Sequence, residues 1–199
     1  MISDLKAAKL IVEPVNRQIL RHLAEEELTQ KMLADLLGLA PPSVYYHIKE
    51  LKAAKLISVA REEPEAHGIL QKYYRAEAVY FIVDYGRMPL DLRRYFLSVN
   101  LERLRGIFAI LRALKGVEIS FSSSEMEQLA DRVAFYLAEV AKEYEQRSSK
   151  AGDSAKDRES TIINLYGEAL ARTIEKDPKS TKPLSLLLSN LGLLGVSEP

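Results

Sequence analysis

Between Thr29 and Leu51 the chain reads Thr29-Gln30-Lys31-Met32-Leu33-Ala34-Asp35-Leu36-Leu37-Gly38-Leu39-Ala40-Pro41-Pro42-Ser43-Val44-Tyr45-Tyr46-His47-Ile48-Lys49-Glu50-Leu51, two short helices and the corner between them. Thr29 is an N-cap candidate, because its hydroxyl can accept a hydrogen bond from a free N–H of the first turn. Leu33, Leu36 and Leu37 then fall on one face, and Gly38, which adopts the left-handed conformation without a Cβ penalty, ends the helix. Pro41 and Pro42 are tolerated in a first turn and open a second helix, expected to run through Ala54. Its inward face is Val44, Ile48 and Leu51; Pro42, Tyr45, Tyr46 and Lys49 recur at helical spacing on the opposite one.

Upstream, Val15, Ile19, Leu20 and Leu23 make the buried stripe of a helix that Pro14 opens. Downstream the period changes to alternation. Ile57–Arg61 and Gln71–Arg75 read as strands joined by Glu62–Gly68, which holds Pro64 and Gly68, so a β-hairpin with a loose tip is expected. Helix, glycine turn, helix and strand pair is the order of a winged helix-turn-helix, whose second turn-flanking helix enters the DNA major groove.

The residues Glu13–Leu20, Glu27-Leu28-Thr29, Leu33–Leu39 and Pro42–Leu51 resemble the ArsR family of winged-helix repressors, particularly its archaeal members, over roughly Leu10 to Ala76. The resemblance implies a homodimer that binds pseudo-palindromic operator DNA and is released or retained by an effector. The chain has no cysteine, so the metal-sensing thiolates of the founding members cannot exist here.

Candidate DNA contacts on the second helix are Pro42, Ser43, Tyr45, Tyr46, Lys49 and Lys52: a hydroxyl for a base edge or phosphate, rings for thymine methyls or phosphates, and ammonium groups for phosphates. On the hairpin Arg61, Lys72 and Arg75 are candidate phosphate ligands, but Glu62, Glu63 and Glu65 place acid near the tip and repel a phosphate backbone. Solvated lysines and a hairpin that merely completes a sheet stand as the plainer readings. An interaction module that binds protein instead of DNA is the alternative function. His47 reads as a packed or hydrogen-bonded residue and His67 as a turn residue; with His22 they lack a matched acidic partner at fixed spacing, so no metal or other cofactor is expected. There is no phosphate loop, GxSxG or HExxH, so an enzyme is not expected.

From Pro89 to Lys115 the chain is helical again, and Gly116 stops it, with Val117–Phe121 a short extended candidate. Ser124 and Glu127 form a capping-box pattern that opens a helix through about Arg147. Ser148–Glu159 reads as a mobile polar linker, Ser160 to about Glu175 as a shorter helix, and Leu184–Leu191 as an apolar tail. A small winged domain needs no such long stripes. Phe96, Leu104, Ile107, Phe108, Leu111, Val133, Tyr136 and Val140 are therefore expected to bury against a partner chain. The expected fold is mainly α with a small β-hairpin wing: residues 1–85 a winged helix-turn-helix DNA-binding domain, residues 86–199 an α-helical dimerisation region.

The 199 residues carry 28 Lys and Arg against 28 Asp and Glu, and residues 1–80 hold eleven of each sign. Bulk attraction to nucleic acid is thereby excluded, leaving a local patch as the only electrostatic route. Residues 40–56 have three lysines and one glutamate; residues 86–115 have six arginines and a lysine against Asp91 and Glu102. No basic stretch followed by a long apolar run opens the chain, and a cytoplasmic protein without a membrane partner is expected. No residue pattern identifies an effector.

Overall fold

A computed structural model describes residues 1–64, 70–116, 120–151 and 158–177. The fold is mainly helical with a small antiparallel sheet, as expected, and divides into two compact units, Ile2–Val83 and the chain from Asp84 onward together with Met1. Asp84 and Tyr85 thus fall with the second unit, not the first.

The first unit begins with a helix absent from the expectation, α1 (Leu5–Val12), in which the Asp4 carboxylate accepts from the Ala7 N–H at 2.7 Å. Glu13 ends α1 and caps α2 (Pro14–Glu25), accepting from the Asn16 N–H at 2.7 Å. The two-residue strand β1 (Leu28–Thr29) leads into α3 (Gln30–Leu37); Thr29 Oγ1 accepts from the Met32 N–H at 3.2 Å, as the N-cap reading requires. At the other end Gly38 has φ 63°, its N–H points to the Asp35 carbonyl, and the Leu39 N–H reaches the Ala34 carbonyl at 3.0 Å. That paired closure is a Schellman motif. Leu33 is buried, but Leu36, expected on the same inward face, is 54% exposed. The α3 stripe is narrower than the spacing suggests: in a helix of fewer than three turns, Leu33 and Ala34 are its buried residues.

Helix α4 (Pro41–Ala53) buries Val44, Ile48 and Leu51 against Ile19, Leu23 and Leu33. It closes at Lys55, which holds φ 56° while the Leu56 N–H bonds the Leu51 carbonyl at 2.9 Å. The wing is β2 (Ile57–Pro64) and β3 (Leu70–Ala76), longer than expected, and β1 adds a third strand in the order β1-β3-β2. Val59 pairs with Tyr74 and Arg61 with Tyr73, so Ala60 is the extra residue of a β-bulge. His67, Gly68 and Glu65 of the expected tip lie outside the described residues.

In the second unit a 3₁₀ turn (Tyr85–Arg87) precedes α5 (Leu90–Lys115), α6 (Ser123–Ala151) and α7 (Arg158–Lys176). Gly116 ends α5 at φ 64°. The capping box is Ser122 with Glu125, not Ser124 with Glu127: the Ser122 N–H and hydroxyl donate to the Glu125 carboxylate at 2.7 and 2.6 Å, and the Glu125 N–H returns a bond to Ser122 Oγ. Three consecutive serines make the register ambiguous in sequence, and the turn selects the first. Those bonds hold the Glu125 carboxyl below its ordinary range. The expected linker is shorter than 148–159, since Ser148–Ala151 continue α6 and Arg158 and Glu159 begin α7. Residues 152–157, Val117–Ile119 and the apolar tail lie outside the described residues.

Of the eight residues expected at a partner interface, Leu104, Phe108, Val133 and Val140 are buried within this chain's own helices, and Phe96, Ile107, Leu111 and Tyr136 are half-buried. Polar bonds stitch the same layer. Tyr166 donates to Asn100 Oδ1 and accepts from Arg103 at 2.9 Å, and Arg172 grips Glu143 through two bonds of 2.8 and 2.6 Å. Tyr85 donates to Asp131 at 2.6 Å; burial and that carboxylate push its phenol well above the usual tyrosine range.

Candidate nucleic-acid interface

The two prolines of α4 fix where its surface begins. Pro41 and Pro42 occupy the first turn, and Gln30 of α3 donates from its side-chain amide to the Pro41 carbonyl at 2.9 Å, locking the corner between the helices. A second tie holds the middle of α4. Asn16, 1% exposed, donates to the Leu10 carbonyl at 3.0 Å and accepts from His47 Nδ1 at 2.9 Å, while Glu13 lies 3.8 Å from the same ring nitrogen. An Asn carbonyl oxygen only accepts, so Nδ1 carries the proton in this bond. His47 is thus a hydrogen-bonded residue, with its ring edge-on to Tyr46 at 6.0 Å. A buried network satisfied on both sides is costly to disturb, which keeps α4 in one orientation on α1 and α2.

With those faces spent inward, α4 turns Pro42, Ser43, Tyr45, Tyr46, Lys49 and Lys52 to solvent. Between α4 and β3 runs an open groove of about 580 Å³. Lys31 at the start of α3, Lys49 and Lys52 on α4, and Lys72 on β3 all line it, with Tyr45 and Tyr74, and none of the described residues lining it is a carboxylate. Lys72 is held 3.4 Å from Glu62, an exposed pair of little energetic worth that a phosphate can replace. Burial raises the Tyr74 phenol, with Lys72 opposing the rise. Lys31 and Gln30 were not singled out from sequence. Their signal was available in the first-turn positions after Thr29, which a helix-turn-helix corner places beside the second helix.

The hairpin cations separate. Strand alternation puts Lys72 and Tyr74 on the groove face and Tyr73 and Arg75 on the other. The bulge at Ala60 then carries Arg61 to the Tyr73 side. There its guanidinium stacks on the Tyr73 ring at 3.6 Å, donates to Glu27 at 2.8 Å and pairs with Glu63. The structure therefore brings Lys72 together with the α4 residues and leaves Arg61 and Arg75 on the opposite face. Among the described residues no three His, Cys, Asp or Glu side chains cluster as a metal site, and no described helix is long and apolar enough to cross a membrane.

Two helices across a glycine-closed corner, followed by a hairpin that recruits a strand from the loop before α3, define a winged helix-turn-helix domain. Residues 11–60 match the family model of a helix-turn-helix domain, a quarter of the chain that spans α2, α3, α4 and the start of the wing. No curated protein matches the chain. A domain of this kind belongs to DNA-binding regulators and supports that class of function here.

Proposed function

We propose that the protein is a sequence-specific transcription regulator of the ArsR-like winged-helix kind, a cytoplasmic homodimer that lays α4 in the major groove of operator DNA and represses. Residues 1–85 bind DNA and residues 86–199 pair the two chains. The observation that carries the reading is the groove beside α4, where four lysines converge with no carboxylate among the described lining residues, in a unit, Ile2–Val83, whose charges sum to zero. A neutral domain that gathers lysines beside an exposed helix suits phosphate contacts at one place and weak affinity elsewhere.

A mobility-shift experiment with the DNA upstream of the protein's own gene tests it. A salt-sensitive complex is expected, largely removed by Tyr46→Ala with Lys49→Ala; a complex that survives both changes overturns the assignment of α4. Solution mass tests the dimer, and a monomer at micromolar concentration refutes it. A stable protein partner with no DNA affinity at low salt would favour the interaction-module alternative.

A further inference from the structure

We propose that α4 reads its site through the C5 methyl groups of thymine, so that the duplexes this protein selects carry thymines beneath the first two turns of α4. The inference rests on the DNA-binding reading above and narrows what that surface recognises. Base edges in the major groove are told apart mainly by bidentate partners, Arg or Lys for guanine and Asn or Gln for adenine, and by apolar contact with the thymine methyl. Helix α4, with the sequence Pro-Pro-Ser-Val-Tyr-Tyr-His-Ile-Lys-Glu-Leu-Lys-Ala, contains no Arg, Asn or Gln. Of the two amides that line the groove, Gln30 is committed to the Pro41 carbonyl and Gln71 stands on β3, off α4; His47 is tied to Asn16.

Lys49 and Lys52 are the remaining side chains of α4 able to read guanine, and their place argues otherwise. Lys49 lies seven residues beyond Pro42, roughly 10 Å along the axis at the α-helical rise, with Lys52 further still, and both share the groove with Lys31 and Lys72. A helix-turn-helix puts the N-terminal residues of this helix at the base edges. The four ammonium groups that share this groove match a phosphate strand.

The helix start offers no backbone donor either. Pro41 and Pro42 have no N–H, and the Ser43 and Val44 N–H groups both bond the Ala40 carbonyl, at 2.9 and 3.3 Å. What faces outward is the Ser43 hydroxyl, two proline rings and two phenols, Tyr45 and Tyr46, which are 56% and 62% exposed and whose ring faces are apolar. Such a surface gains by covering apolar groups, and the thymine methyl is the apolar group that the major groove presents.

Selection from a random duplex pool with the full-length protein, followed by binding to the selected site with each thymine replaced by uracil, tests this. Uracil keeps every hydrogen-bonding group and removes only the methyl. Loss of one covered methyl is expected to weaken binding about fourfold, and the double variant Tyr45→Ala, Tyr46→Ala, whose exposed rings leave the core untouched, should bind thymine and uracil duplexes alike. Affinity that stays within about twofold when all thymines are replaced, or a site weakened by 7-deazaguanine and not by uracil, overturns the inference while leaving DNA binding intact. Absence of a salt-sensitive complex with any duplex overturns the DNA-binding reading itself, and this inference with it.

Discussion

Replacing Lys49 and Lys52 together by glutamine removes two of the four ammonium groups that line the α4–β3 groove, and the loss reads most directly as a change in salt dependence. Each neutralised phosphate contributes about −0.9 to the slope of log affinity against log salt. Four groove lysines give a slope of about −3.6 per winged domain, and the double variant about −1.8. Across a fourfold rise in salt, the unaltered domain should lose affinity about 150-fold and the variant only about 12-fold. Fluorescence anisotropy of a labelled duplex at several salt concentrations measures both slopes; a dimer that engages both domains doubles them without changing their ratio. The matched control is Arg61→Gln with Arg75→Gln. It removes the same charge from the sheet face on which Arg61 stacks against Tyr73, so its slope should stay within about 0.5 of the parent. If the arginine pair flattens the slope as much as the lysine pair, DNA contacts the outer face of the wing and the groove is not the phosphate site.

Asn16→Ala strips the Leu10 carbonyl and His47 of partners in a buried site and should cost about 2–3 kcal/mol in urea denaturation; a loss below about 0.5 kcal/mol would show that the tie does not hold α4. Lys55→Gly relieves a left-handed backbone position and should stabilise the fold by about 0.5–1 kcal/mol, whereas Lys55→Val should lower its melting temperature. Tyr74, Tyr85 and Tyr166 all have raised phenols, so in the folded protein they should ionise later than the other tyrosines when the tyrosinate absorbance is followed upward in pH. Their contribution to stability is complete below the ordinary tyrosine range and is lost as pH climbs through the raised values, so unfolding should ease only in strong alkali. Identical titration of native and denatured protein would contradict this.

The corner of the helix-turn-helix was legible because its determinants act within one turn of chain. Thr29 caps with its own hydroxyl, Gly38 closes because only its backbone bends that way cheaply, and Pro41 starts a helix whose first N–H would be unused. What escaped depends on partners far along the sequence. Strand β1 is two residues long and exists through its pairing with Tyr73 and Tyr74. The bulge at Ala60 has no glycine to mark it, yet one unpaired residue inverts the face of everything beyond it on that strand. Plain alternation from Val59 would have set Arg61 opposite Lys72; the bulge sets Glu62 opposite it instead, which explains why Lys72 has an acidic neighbour. Helix α1 was readable in principle, since Ala7, Ala8 and Ile11 keep helical spacing behind Asp4, but in its eight residues the buried face is two alanines and a single large apolar side chain.

An apolar stripe tells that a helix face is covered and is silent on what covers it. In the second unit Leu104, Phe108, Val133 and Val140 are covered by α5, α6 and α7 of the same chain, which uses up the centre of the stripe. At 100° per residue, Phe96, Ile107 and Ile110 sit roughly 60–120° around α5 from Leu104, and Ile110 is 59% exposed. If the proposed pairing through residues 86–199 uses α5, this flank is an exposed apolar surface among the described residues that can meet a partner. Ile110→Glu should then shift the solution mass from dimer to monomer at micromolar concentration while leaving the melting temperature of the monomer unchanged. Leu104→Ala acts on the chain's own core, at a cost of about 2–5 kcal/mol in folding. An Ile110→Glu protein that remains dimeric would place the subunit contact off this flank and break the link between the α5 stripe and dimerisation.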